Sequence, residues 1–196
     1  MTQEQQIAHI RLLINEPFST VPTDKALESM LLAGAEAFND ITRYNVTDST
    51  TGIGTLVAGT QEYAIDQSIM EIEWFELDGV ILPKTDTDSL RSQKIPWRSE
   101  PSGRPEKYYL SGRKVGFYPK PSAAFTYVMR CVSVPTDSYS NMANQHQRIP
   151  DYFAAAEWLA SARGQVIGVG PAPLLQIFAE RATAAKEYYV GRGVVR

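Results

Sequence analysis

The chain has 196 residues, of which 43% are hydrophobic and 21% are charged, and its formal net charge is −3. This is ordinary globular composition for one good-sized domain, and it excludes general disorder. The negative charge excludes a protein that coats nucleic acid by bulk charge. The single cysteine, Cys131, excludes an internal disulfide framework, and its apolar strand pattern predicts a buried, unreactive thiol.

We expect neither a targeting segment nor a membrane-spanning segment in this sequence. The first ten residues are polar and lack the apolar core of a signal peptide. No apolar run approaches the roughly 20 residues that a membrane span requires. We therefore expect no membrane partner, and a location in a cytoplasm or in a particle assembled there.

A helical hairpin is predicted at the N-terminus, over residues 1–44. Apolar residues recur at helical spacing in its first helix, which Pro17 ends because proline disfavours helical geometry in the residue before it. Thr23 is the predicted N-cap of the second helix. That helix carries a narrow apolar stripe containing Gly34, which lets a partner helix approach closely.

The middle of the chain, residues 45–148, is predicted to be a central antiparallel β-domain built of hairpins. Short aromatic strands are separated by turns, and Asp78-Gly79 is a strong signal for a tight hairpin turn. The Thr-, Ser- and Gly-rich residues 45–60 are expected to be a loop or a poorly ordered edge. A long loop at 93–106 holds three prolines and an exposed Trp97, and loops of this length are usually functional or mobile.

Residues 149–190 are helical again, and Pro150 suits the first turn of a helix. Alanine-rich helices permit close contact, so we expect residues 1–44 and 149–190 to form one helical bundle. The predicted fold class is therefore α+β, a bundle of N- and C-terminal helices with a central β-domain. Residues 191–196, with the sequence GRGVVR, are expected to form a flexible tail.

The sequence contains no pattern typical of catalysis. Two histidines and one cysteine are too few for an ordinary zinc site, and the glycines near 164–170 lack the Lys-Ser/Thr of a phosphate loop. Glu71 and Glu73 are predicted to share a solvated strand face opposite Ile72 and Trp74. We expect no catalytic residue, no metal and no cofactor.

Basic residues cluster with aromatic residues near the long loop. They permit a small nucleic-acid patch, but a solvated loop and edge strand is the stronger interpretation. The residues concerned are Trp97, Arg98, Arg104, Lys107, Tyr108, Tyr109, Arg113 and Lys114.

The order of these segments resembles a known family. A helical hairpin precedes strands that end in an Asp-Gly turn, followed by a tryptophan and then by SGRPEKYYL, VGFYPKPSAAFTYVMRC and IPDYF, the last opening an alanine-rich helix. This order is similar to that of head-to-tail adaptor proteins of tailed bacteriophages, also called connector, head completion or tail-tube-A-like proteins. The resemblance runs from about Gln6 to Tyr189.

The resemblance implies a structural virion protein that is not an enzyme. It implies a homo-oligomeric ring, typically of twelve subunits, between the portal protein and the tail or nozzle protein, with DNA only in passage through the channel. The resemblance also implies that the protein is located at the head-tail junction of the virion and that it is assembled in the host cytoplasm. The family's C-terminal segment commonly reaches the portal, which predicts a contact here by Tyr188, Tyr189, Arg192, Val194, Val195 and Arg196.

The long loop is the second contact that we expect, toward the tail or a neighbouring subunit, through Trp97, Arg98 and Arg104. Two alternatives remain open at this stage. One is another virion part, such as a tail terminator or a fibre-attachment module. The other is a small enzyme whose site forms only between subunits. The role of residues 45–60 is not implied by the resemblance.

Overall fold

The computed structural model describes residues 2–16, 22–92, 97–99, 101–137, 141–161 and 170–191. Within these residues the helices are α1 Gln3–Leu13, α2 Asp24–Thr42, α3 Thr87–Arg91, α4 Ile149–Ala160 and α5 Ala172–Gly191. The strands are β1 Val46–Ser49, β2 Glu62–Ala64, β3 Ile69–Leu77, β4 Val80–Leu82, β5 Lys84–Thr85, β6 Lys107–Ser111, β7 Lys114–Tyr118 and β8 Tyr127–Ser133. The predicted α+β class is confirmed.

The chain forms two compact units. The helical unit comprises Met1–Asn45 and Val134–Arg196, and the β unit comprises Val46–Ser133. Residues 134–148, which the sequence analysis assigns to the β part, lie in the helical unit. Strand β8 ends at Ser133, and a single turn of 3-10 helix at Asn144–His146 then leads into α4.

Local signals start the helices where the sequence predicts. The Thr23 side chain accepts a hydrogen bond from the backbone N–H of Ala26 at 3.3 Å, which confirms the N-cap of α2. Thr2 and Gln5 form a capping box at the start of α1. Pro150 lies in the first turn of α4, as predicted.

The core of the helical unit forms where α2 and α4 approach closely. A Cβ placed on Gly34 would stand 2.7 Å from the carbonyl oxygen of Pro150 and 3.3 Å from the Cβ of Phe153. No side chain fits into that space, so the glycine sets how closely the two helices pack. The predicted role of Gly34 is confirmed.

The β unit consists of two four-stranded sheets that share one core. The first sheet has the strand order β1-β8-β3-β4, and the second has the order β2-β7-β6-β5. All neighbours are antiparallel except β5 and β6, which pair in parallel. Phe75 of the first sheet packs edge-to-face on Phe117 of the second, with ring centroids 5.0 Å apart. The predicted hairpin turn is present, with φ of 48° at Asp78 and 80° at Gly79.

Strand β3 departs from the simple alternation that the sequence suggests. Register shifts occur between Ile69 and Glu71 and between Ile72 and Trp74. Trp74 pairs with Arg130, and the Glu73 carboxylate lies 3.5 Å from the Arg130 Nε. The expectation that Glu73 faces away from Trp74 is therefore wrong, because a β-bulge places two successive residues against one partner.

Residues 45–60 are expected from the sequence to form a loop or a poorly ordered edge, but they contain a paired strand and two core residues. Strand β1 pairs with β8 along its whole length, in the register Val46–Val132 to Ser49–Met129. Beyond it, Ile53 and Leu56 are buried in the shared core of the β unit. This segment therefore forms one edge of the first sheet and supplies two side chains to the core of the β unit.

Candidate interaction surfaces

The C-terminal end of α5 is held by an aromatic cluster. Tyr189 is buried, and its ring lies 5.5 Å from that of His146 and 6.1 Å from that of Tyr44. Its hydroxyl accepts a hydrogen bond from the backbone N–H of Ala143 at 3.1 Å. Tyr189 therefore belongs to the core of the helical unit.

Tyr188 is half-buried beside this cluster, with its ring 4.9 Å from that of His146 in an edge-to-face arrangement. Val190, the next residue along α5, is an exposed apolar residue, with 46% of its surface accessible. The other predicted contacts, Arg192, Val194, Val195 and Arg196, lie outside the described residues. Of the C-terminal candidates, the structure thus brings together the two tyrosines, which hold the C-terminal end of α5.

The long loop does not expose its tryptophan. Trp97 is only 6% exposed, and it packs on Leu90 of α3 and on Tyr109 of β6, whose ring centroid lies 5.3 Å away. The expectation of an exposed Trp97 is wrong, because the indole covers an aromatic side chain on the outer face of the second sheet. We call α3 together with Trp97–Ser99 the strap.

The carboxylate of Glu62, beneath the strap, interacts with three side chains. Glu62 accepts a hydrogen bond from the Tyr109 hydroxyl at 3.0 Å, and its oxygens lie 3.4 Å from the Arg98 guanidinium and 3.9 Å from the Lys114 ammonium. The Arg98 guanidinium also lies over the Trp97 ring, 4.8 Å from its centroid. Burial and the hydrogen bond to Glu62 both raise the pKa of Tyr109.

This arrangement depends on Gly116, which pairs with both Glu62 and Tyr109 in the second sheet. A Cβ on Gly116 would overlap the Tyr109 ring. The sequence analysis missed Glu62, and the only signal available was a glycine in the middle of an aromatic strand, which often marks a close approach.

Arg104 is exposed and follows a segment fixed to the β unit. Gly103 donates from its backbone N–H to the carbonyl of Lys120 at 2.9 Å, and its own carbonyl accepts from Ser122 at 2.9 Å. Of the three predicted loop residues, Trp97 supports the surface from below, whereas Arg98 and Arg104 present their charges to solvent.

The helical unit contains a buried polar cluster that sequence reasoning also missed. Asp151 is fully buried in α4, and its carboxyl group lies 2.8 Å from the Nδ1 of His9 and accepts a hydrogen bond from the Gln6 amide at 3.2 Å. Gln6 also donates to the carbonyl of Gln147 at 2.9 Å. Gln6 and His9 are three residues apart on α1, and that spacing is the signal that places both on one helix face.

Burial sets the protonation of this cluster. Burial raises the pKa of Asp151 to about 8, although the Gln6 hydrogen bond and the Arg148 charge oppose the shift. Burial lowers the pKa of His9, and the charges of Arg148 and Arg181 lower it further. Both directions favour a neutral pair, in which the protonated carboxyl group of Asp151 donates a hydrogen bond to Nδ1 of His9.

The cluster has a structural role rather than the geometry of a nucleophilic site. Within the described residues, His9 makes its one hydrogen bond to Asp151, and its ring meets Tyr152 edge-to-face at 5.8 Å. A triad needs a nucleophilic hydroxyl or thiol hydrogen-bonded to the imidazole. The pair instead ties α1 to α4.

An open cleft of about 480 Å³ lies at the β1 end of the first sheet, lined mainly by hydroxyl and carboxylate side chains. Many of these groups bond to each other. Thr47 and Ser133 hydroxyls are 3.0 Å apart, and Ser68 donates to Asp66 from both its backbone and its hydroxyl. The side-chain bond from Ser68 is the main reason that the pKa of Asp66 is lowered. Several of the polar groups that line the cleft therefore already have hydrogen-bond partners within it.

The described part of the chain contains no group of three or more His, Cys, Asp or Glu residues arranged to hold a metal ion. None of its helices combines the length and the apolar content that crossing a bilayer would take.

Comparison with known proteins gives one family. A family model described as SU10 adaptor protein matches residues 1–188, which is nearly the whole chain. No curated protein matches the chain.

Proposed function

The chain belongs to the SU10 adaptor protein family, and we propose that it forms a ring between the portal and the tail of a bacteriophage particle. The observation that carries this proposal is the family match over residues 1–188. A phage adaptor is a component of the virion. The finer assignment to the head-tail junction, with a ring that extends the DNA channel, is our proposal.

The architecture is suited to such a role. A ring requires two unlike surfaces on each subunit, so that the contact of one copy continues into the next. The chain provides a helical unit and a β unit with different surfaces. We propose a homo-oligomer of twelve subunits, with the portal protein on one side, the tail or nozzle protein on the other, and DNA in passage only.

The C-terminal residues are the proposed portal contact. Tyr189 and Tyr188 fix the end of α5 against His146. From this fixed point, Arg192 and Arg196 can pair with carboxylates of a partner, while Val194 and Val195 supply an apolar contact. Repetition around a ring multiplies a weak contact into a stable one.

The strap is the proposed contact with the tail or with a neighbouring subunit. Arg98 is held by Glu62 and by the Trp97 ring, yet 62% of its side chain remains exposed. A cation that is already positioned loses little conformational freedom when it binds a partner. Arg104 adds a second exposed charge from the same loop. Trp97 then acts as the support of this surface.

We propose that the chain has no catalytic activity. The family is one of structural adaptors, and the His9–Asp151 pair is satisfied without a nucleophile. Screens of the purified protein for esterase, nuclease, phosphatase and glycosidase activity are expected to give background rates. Turnover that one point substitution abolishes would contradict this.

Truncation after Gly191 tests the portal contact. Deleting 192–196 is expected to leave the melting temperature within about 1 °C, because these five residues, with two valines, have little apolar surface to add to a core. The truncated protein is expected to lose binding to purified, DNA-filled heads that carry the portal. The matched control is the full-length double variant Glu180→Gln/Glu187→Gln in α5, which keeps the tail and should bind normally. Unaltered binding of the truncated protein would place the portal contact elsewhere.

A further inference from the structure

The two sheets of the β unit differ in the charge of their outer faces. Their inner faces share one core, in which Phe75 meets Phe117 and Tyr108. The outer faces of two sheets packed in this way point in opposite directions. Since side chains alternate along each strand, the register shows which charges each outer face carries.

The outer face of the first sheet is negative. We call it the acidic face and define it by Asp48, Glu71, Glu73, Trp74, Glu76, Ile81, Val128 and Arg130. Ile81 pairs with Glu76, Glu76 with Val128, and Arg130 with both Trp74 and Asp48. The four carboxylates of this face outnumber the single guanidinium.

The acidic face also presents apolar surface near its free edge. Ile81 lies on β4, the last strand of the sheet, and is 60% exposed. An exposed aliphatic side chain on an edge strand offers another chain an apolar contact beside unpaired backbone groups.

The outer face of the second sheet is positive. We call it the basic face and define it by Lys107, Lys114, Tyr118 and the strap with Arg98, around the carboxylate of Glu62. Tyr108, Val115 and Phe117 point into the core, so Lys107 and Lys114 point outward. Lys114 and Arg98 are 60% and 62% exposed, and within the described residues both form their ion pair with the same carboxylate, that of Glu62. The face therefore keeps an excess of positive charge.

We propose that copies of this chain associate head to tail through the β unit, the acidic face of one copy meeting the basic face of the next. The inference rests on the proposed ring and names its subunit contact. One copy carries both complementary surfaces, and they point in opposite directions, which is the condition for a contact that repeats from copy to copy. Opposite charges steer the encounter and exclude like-with-like pairing.

The side chains of the two faces are chemically complementary. The acidic face offers Ile81 and Trp74 as apolar anchors beside its carboxylates. The basic face offers the planar Arg98 guanidinium, held over Trp97, and the half-buried ring of Tyr118. Arginine in such a position bonds to carboxylates with two parallel hydrogen bonds. Glu71 and Glu76 are the carboxylates that we assign to this contact.

A charge swap tests the proposal with purified, full-length protein. The first variant, Glu71→Lys/Glu76→Lys, makes the acidic face basic, and the second, Lys107→Glu/Lys114→Glu, makes the basic face acidic. Sedimentation velocity over a range of concentrations is expected to show self-association of the wild type that weakens with added salt. Each variant alone is expected to self-associate at least about tenfold more weakly. Circular dichroism melts establish that both remain folded.

An equimolar mixture of the two variants gives the decisive result. Every junction in the mixture again joins opposite charges, so association is expected to return to near the wild-type level. The control Glu36→Lys/Asp40→Lys makes the same charge change at exposed positions of α2, in the helical unit, and it is expected to retain association. Wild-type protein that stays monomeric throughout, or folded variants whose mixture does not associate, would overturn the proposal. The location of the protein in particles is measured separately, so the ring can stand if this contact fails.

Discussion

Gly34 of α2 lies directly against Pro150 of α4, with room for no side chain between them. A Cβ at position 34 would stand 2.7 Å from the Pro150 carbonyl oxygen and 3.2 Å from its Cα. Both neighbours are backbone atoms, which cannot move aside as a flexible side chain would. This one position therefore determines how closely two helices of the bundle pack.

Gly34→Ala is expected to destabilise the helical unit by about 1–2 kcal/mol. Overpacking a tight core costs about 1–3 kcal/mol, and the better helix propensity of alanine returns up to about 1 kcal/mol. Chemical denaturation followed by circular dichroism measures the difference. Gly191→Ala is the control, because open space surrounds that position at the end of α5, and it should be neutral. A stabilised Gly34→Ala protein would contradict the packing described here.

Much of the architecture is predictable from local patterns. The turn at Asp78-Gly79 and the start of α4 at Pro150 follow from backbone preferences, which act over a few residues. The burial of Trp97 is not predictable in this way. It depends on Tyr109, a residue twelve positions along the chain, and only the fold brings the two together.

Gly116→Ala is expected to destabilise the β unit by about 1–3 kcal/mol or more, because the new methyl group overlaps the Tyr109 ring. That ring is not free to move, since it is held by Trp97 on one side and by Glu62 at its hydroxyl. In a Tyr109→Ala background the same substitution should cost much less. A double-mutant cycle followed by urea denaturation measures this coupling, and strictly additive effects would count against the close approach.

Two tyrosines of the aromatic cluster are expected to respond differently to loss of the hydroxyl. Tyr189→Phe removes the acceptor of the Ala143 N–H and should cost about 1 kcal/mol. Within the described residues, the buried Tyr44 hydroxyl has no hydrogen-bond partner. Tyr44→Phe should therefore be neutral or stabilising, because burying an unpaired hydroxyl costs free energy. Thermal melts of the two variants provide the comparison, and the reverse order of stabilities would contradict it.

The buried Asp151 is expected to make the helical unit less stable as the pH rises. Its pKa is about 8 when folded and about 3.9 when unfolded, so the folded chain binds the extra proton between these values. Stability contributed by this proton is fully present below about pH 4 and is lost as the pH rises through 8. His9 acts in the opposite sense near pH 6.5, because its lowered pKa leaves the unfolded chain with more bound protons there.

Asp151→Asn isolates this effect. The amide retains an acceptor for Gln6 and a donor for Nδ1 of His9, so both hydrogen bonds persist. The variant is expected to be at least as stable as the wild type at pH 8, and the stability difference between the two should shrink or reverse toward pH 5. Urea denaturation at several pH values measures it. A stability difference that does not change with pH would mean that Asp151 is ionised in the folded protein.

The candidate surfaces were less predictable than the fold. Arg98 and Arg104 are suggested by sequence alone, since basic residues in a long loop are normally exposed. Glu62, which positions Arg98, lies 36 residues away and has no distinguishing neighbour in the sequence. Likewise, Asp151 looks like a helix-start carboxylate suited to the helix dipole, and only the packing of α1 against α4 buries it beside His9.

Electron cryomicroscopy of particles that carry this chain with a small fused tag tests the proposed function most directly. The reconstruction should be focused on the tail-bearing vertex. A ring of tag density between the portal and the tail, with twelve copies around the channel, is the expected result. Tag density at the far end of the tail, on the fibres alone, or absent from the particle would contradict the assignment to the head-tail junction.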